Sequence, residues 1–137
     1  MDTKPHIRYK LTKDERLCSE KIIAGLFQPG FFVSKYPLRI NFIALPVDEM
    51  QPGLPLQVLF SVSKRRFKRA VDRNRVKRLL REVYRLNKHE LLEHLSAKGL
   101  KLAIAIVYTG KELPEYQKLT RSFLHCVAMI KEKTNVD

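Results

Sequence analysis

A chain of 137 residues with 45% apolar content is most simply one domain with a self-sufficient core. No run approaches 18 apolar residues, and the start MDTKPHIRYKLTKDE has no apolar stretch of the signal-peptide kind, so neither a membrane partner nor export is expected. A formal charge of +13, from 27 Lys and Arg against 14 acids, points to a polyanionic partner instead. The two cysteines, Cys18 and Cys126, fall on what read as two separate helices, and nothing suggests a disulfide framework or a metal cluster; they read as buried free thiols in a cytoplasmic protein.

Residues 1–10 are polar and basic and are expected to form a flexible segment ahead of one α-β domain over residues 11–137. The first helix opens on a capping box, Thr12 with Glu15 three residues on, and closes at Phe27-Gln28-Pro29-Gly30. The stretch FFVSKYPLRINFIAL then reads as extended, with Pro37 marking a break or a sheet edge. Alternation of Leu38, Ile40, Phe42 and Ala44 with Arg39, Asn41, Ile43 and Leu45 predicts a strand. A proline-rich turn, PVDEMQPGLP, leads to a second strand that places Leu56, Val58, Phe60 and Val62 on one side.

Helical periodicity runs from Asp72 to about Leu95, with Gly99 ending the connection. KLAIAIVYT is apolar enough for a central strand, and Pro114 opens a last helix in which Tyr116, Leu119, Phe123, Val127 and Ile130 recur at spacings of three and four. The predicted class is α+β, in the order helix, strands, helix, strand, helix.

Charge is concentrated between Lys64 and Arg85, where eleven Lys or Arg face two acids, Asp72 and Glu82. This stretch holds +9 of the chain's +13. On a helix, Val76, Leu79, Leu80 and Val83 form one stripe, which must face the core. Asn74, Lys77, Arg78, Arg81, Arg85 and Lys88 fall on the other side, with Glu82 within reach of Arg78 at i, i+4. Arg73, Arg75 and Lys77 crowd the first turns, where the helix dipole disfavours cations by roughly 0.3–1 kcal/mol each. A solvated face would not carry that cost, and Arg, which outnumbers Lys here, matches phosphate oxygens with its planar fork. A helix start also presents free N–H groups to an anion. The sequence lacks the spacing of a zinc finger or a leucine zipper, and a basic ridge beside a sheet with nearby aromatics suits RNA.

Enzymatic motifs are missing. His89 and His94, in HELLEH, are five residues apart and therefore about 140° apart around a helix, so they cannot share a zinc ion. No Walker loop, dinucleotide fingerprint or nucleophile elbow is present, and the sparse acids do not suggest a metal-dependent nuclease. Three readings remain open from the residues: an RNA-binding subunit of a ribonucleoprotein enzyme, a ribosomal or assembly-factor protein that binds rRNA structurally, and a DNA-binding regulator.

The string FSVSKRRFKRAVDRNRVKRLLREVYR resembles the signature of the protein component of bacterial ribonuclease P. The matching positions are Ser61, Val62, Ser63 and Lys64, then Arg73, Asn74, Arg75, Lys77, Arg78 and Arg81. The resemblance implies a ribosomal-protein-like α-β fold with a left-handed β-α-β crossover through the basic helix. It implies binding of a catalytic RNA and of precursor tRNA, with the RNA cutting off the 5′ leader, and it implies no obligate protein partner. Magnesium is expected on the RNA, with no cofactor, metal or catalytic group on the protein. The expected RNA contacts are Lys64, Arg65, Arg66, Lys68, Arg69, Arg73, Asn74, Arg75, Lys77, Arg78, Arg81 and Arg85, and the expected leader cleft holds Phe27, Phe42, Phe60 and Ser61.

Overall fold

The computed structural model describes residues 20–26, 31–45 and 55–135. In chain order the elements are α1 (Glu20–Leu26), β1 (Phe32–Lys35), β2 (Leu38–Ala44), β3 (Leu56–Val62), α2 (Ala70–Asn87), α3 (His89–Lys98), β4 (Leu102–Tyr108) and α4 (Tyr116–Thr134). The capping box at Thr12 and Glu15, the stop at residues 27–30, Cys18 and most of the proline-rich turn lie outside the described residues.

Pro37 supplies no N–H to a ladder, so the extended stretch folds back at Tyr36-Pro37 into an antiparallel hairpin of β1 and β2. β2 pairs antiparallel with the apolar β4, and β4 pairs parallel with β3, giving the order β1-β2-β4-β3. A parallel pair needs a long crossover, and α2 with α3 provides it.

One sheet face carries Leu38, Ile40, Phe42, Val58, Val62, Ile104 and Ile106 into the main core. Val76, Leu80 and Val83 of α2 and Leu119, Phe123, Val127 and Ile130 of α4 close over it, as their spacing predicts. Tyr116, at the start of α4, stays 37% exposed. Cys126 is a buried free thiol, and burial pushes its pKa up to about 11. The other sheet face is shallow at Ala103 and Ala105, which leaves room for Leu26 of α1. Asn41 fixes that end of α1 by donating from Nδ2 to the Leu26 carbonyl at 2.9 Å.

The helical stretch predicted from Asp72 to Leu95 is two helices, parted at Lys88. Eighteen residues of α2 reach roughly 27 Å, whereas seven-residue strands reach roughly 23 Å, so the chain must turn once it has crossed the sheet. α3 makes that turn with Leu91 and Leu95 buried. Gly99, at φ 66°, caps α3 in the left-handed region and leads back into β4.

Candidate nucleic-acid interface

β3 and α2 are joined by residues 63–69, which hold five of the predicted cations. The join is tightly fixed. Phe67 is buried, with its ring 5.9 Å from that of Tyr108 at the end of β4. Ser63 accepts the Arg65 N–H on its Oγ and the Phe67 N–H on its carbonyl, both at 3.1 Å. Arg66 donates to the Thr109 carbonyl, tying the join to the neighbouring strand. Arg73 Nη1 donates to the Phe67 and Lys68 carbonyls, each at 2.8 Å. Predicted as an RNA contact, Arg73 has a second task, which is to hold the loop that displays Lys64, Arg65, Lys68 and Arg69 at the surface.

α2 starts at an extended Arg69 (φ −84°, ψ 130°) with no side-chain cap on its first turn. Its dipole and amide groups are thus directed at the same region as the loop cations. Asn74, Arg75, Arg78 and Arg81 are exposed along the outer face, and Lys77 is half-buried beside them. Arg81 also lies over the Phe60 ring, at 5.9 Å.

Two expectations for this face are corrected. Glu82 pairs with Arg85, at 2.5 and 3.2 Å, and not with Arg78. The hydrogen bond from Arg85 holds the Glu82 carboxyl below its ordinary value and raises that of the guanidinium. Arg85 is consequently half-buried and engaged, while Arg78 has no ion pair among the described residues. Lys88 does not extend the cationic face. It is buried at the α2–α3 corner, with Nζ 5.6 Å from the Tyr84 ring.

Of the residues expected to line the leader cleft, Phe42, Phe60 and Ser61 do not share one sheet face. Phe27 lies outside the described residues. Phe42 is 5% exposed in the main core, beneath the 67% exposed Phe31 at 5.9 Å. Phe60 points to that same core face, edge-on to Tyr84 at 5.8 Å. Ser61 is on the opposite face, because successive residues of a strand alternate and Val62 is required inside. The cross-strand register instead aligns Ser34, Arg39, Val107 and Ser61 in one row beside α1. The next row holds Phe32, Asn41, Ala105 and Leu59. Phe32 is 47% exposed, with the Arg39 guanidinium 4.3 Å above its ring. This open aromatic–cation pair is absent from the sequence prediction. A period of two counted straight through Pro37 would put Phe32 with Leu38 and Ile40. The two-residue turn reverses that parity, and the hairpin register brings Phe32 to the face of Arg39.

The histidines of HELLEH are part of the fold. His94 Nε2 is 2.7 Å from Thr134 Oγ1, and no group of His, Cys, Asp or Glu among the described residues could hold a metal ion. No described helix is long and apolar enough to cross a membrane.

Comparison with known proteins agrees with this arrangement. The Ribonuclease P family model matches residues 11–131. The ribonuclease P protein component of Porphyromonas gingivalis is 39% identical over 114 residues, covering 83% of this chain and 81% of its own. That of Chlorobaculum tepidum is 41% identical over 122 residues, covering 84% and 79%. The RNase P protein of Staphylococcus aureus superposes with a TM-score of 0.63 over 85% of this chain and 95% of that one, at 18% identity, a likeness of fold. A family match spanning the sheet, the fixed join and the basic helix, with relatives matched along most of their length, establishes that this chain belongs to the ribonuclease P protein component family.

Proposed function

We propose that the chain serves as the protein subunit of ribonuclease P, docking on the catalytic RNA and holding the 5′ leader of precursor tRNA. The observation that carries this is the exposed Asn74, Arg75, Arg78 and Arg81 face, continuous with the fixed loop of Lys64, Arg65, Lys68 and Arg69. Charge-assisted contacts to phosphates would come from these side chains and from the uncapped start of α2. The leader would lie along the row of Ser34, Arg39, Val107 and Ser61, and a base can stack on Phe32 in the next row. Catalysis belongs to the RNA in this reading, with magnesium on RNA phosphates and the cytoplasm as the place of action.

Reconstitution with the cognate catalytic RNA at low magnesium tests it. Leader release should be accelerated by the protein and absent with protein alone; equal rates with and without protein would refute the assignment. Arg75→Ala with Arg78→Ala should weaken assembly with the RNA and lower the slope of log affinity against log salt, each lost phosphate contact being worth about 0.7–0.9. Phe32→Ala with Arg39→Ala should leave assembly intact and reduce the gain in precursor affinity that a longer leader brings. An unchanged dependence on leader length would place the leader elsewhere.

A further inference from the structure

We propose that the pocket between the β1–β2 turn and the start of α4 binds a single RNA strand, with a phosphate on Lys118 and Arg121 and a base against Tyr36. This site is separate from the α2 face and from the open sheet row, and it extends the RNA-binding reading given above, on which it rests. The cavity measures about 790 Å³, within the range of sites for nucleotide-sized ligands. Four cations line it, Lys35, Lys111, Lys118 and Arg121, against two acids, Glu112 and Glu115. None of the four has an ion pair among the described residues.

The walls are set before any ligand arrives. Ser122, itself buried, donates from Oγ to the Tyr36 carbonyl at 3.0 Å and so ties the hairpin turn to α4. The Tyr108 hydroxyl donates to the Glu112 carbonyl at 2.6 Å and holds the loop that precedes α4. That loop can pass so close only because residue 110 is glycine: a Cβ there would lie 2.4 Å from the Tyr108 hydroxyl. Tyr36 is 68% exposed at the rim and offers an open ring.

Position supplies a second argument. β3 and β4 are parallel, and α2 and α4 each begin within eight residues of their strand ends, so both long helices start at one end of the sheet. α4, like α2, starts without a side-chain cap. Tyr108 joins the two regions, with its ring against Phe67 of the basic loop and its hydroxyl in the pocket wall. A strand that leaves the basic loop therefore meets a pocket in which four cations outnumber Glu112 and Glu115 and an aromatic ring stands at the rim. A bare acidic peptide would find the charge but no use for the ring.

The test uses the full chain and a fluorescent ten-nucleotide oligouridylate, with affinities taken across a salt series and contacts mapped by amide shifts. Lys118→Ala with Arg121→Ala should weaken binding about 3- to 10-fold and lower the salt slope by about 1.4, two contacts at about 0.7 each. Tyr36→Ala should weaken binding with little change of slope, and Glu115→Gln should strengthen it. The charge-keeping pair Lys118→Arg with Arg121→Lys should retain most of the affinity, which guards against misfolding as the cause. Unchanged affinity and slope in the double Ala variant would overturn the proposal. So would equal binding of decaglutamate, or a Tyr36→Ala variant that binds oligouridylate as well as the original chain. Assembly with the catalytic RNA should survive the pocket changes, whereas Arg75→Ala with Arg78→Ala should impair it. A failed reconstitution alongside a mapped pocket would therefore count against the ribonuclease P reading alone.

Discussion

His94 sits where α3 meets α4, its ring nitrogen 2.7 Å from Thr134 Oγ1 and close to the Lys131–Glu90 ion pair at 2.8 Å. Partial burial lowers its pKa, and the neighbouring charges of Lys131 and Lys98 lower it further. The native state thus takes up the proton later than the unfolded chain, for which the ordinary value is about 6.5. Below that value the unfolded state binds more protons, so the stability this residue confers is present above it and is lost as pH falls through the depressed native value. Urea melts of the original chain and of His94→Gln should therefore converge as pH falls from 7.5 to 5. Parallel curves over that interval would mean that His94 is not the group responsible.

At the scale of elements, the loop of residues 63–69 acts as a mount for charge. Phe67 is its apolar anchor, and Arg73 and Arg66 hold it by hydrogen bonds to main-chain carbonyls. Phe67→Ala should cost about 3–5 kcal/mol of stability by emptying a packed site. It should also weaken binding of the catalytic RNA although it removes no charge, as measured well below the new melting temperature. Affinity equal to that of the original chain would mean that the loop cations need no fixed placement. This mount was only half legible in the sequence. The basic run and its helical stripe were readable, because Val76, Leu80 and Val83 recur at helical spacing and the cations fill the remaining positions. The internal use of Arg73 was not, since its acceptors come into reach only when the loop folds back over Tyr108. The break at Lys88 carries no Pro or Gly and is imposed by the length of the sheet, a property of four strands together. Phe42 and Phe60 were readable as strand residues, and their alternation already placed them with Leu38, Ile40 and Val62 in the core. The expected cleft grouped Ser61 with Phe60, which strand geometry puts on the other face.

Over the whole molecule, charge and dipoles point the same way. α2 and α4 both begin at the sheet end that carries the basic loop and the lysine- and arginine-lined pocket, so positive potential is gathered there. A net +13 spread evenly would be screened over about 10 Å at 0.1 M salt, and any salt would relieve its self-repulsion to the same degree. Gathered cations beside uncapped helix starts should distinguish among anions, because a tetrahedral oxyanion can accept several N–H groups at once. At constant ionic strength, replacing chloride by 10 mM sulfate should therefore raise the melting temperature. For a dissociation constant on the order of 1 mM, linkage gives about 1.4 kcal/mol, or roughly 3–8 °C for a domain of this size. At such low concentration the general exclusion of sulfate from protein surfaces contributes little, so the increment reports occupied sites. It should shrink in Arg75→Ala with Arg78→Ala and shrink again when Lys118 and Arg121 are also replaced by Ala. An equal rise in all three proteins would show that sulfate acts on the bulk charge and that the sheet end has no particular hold on anions.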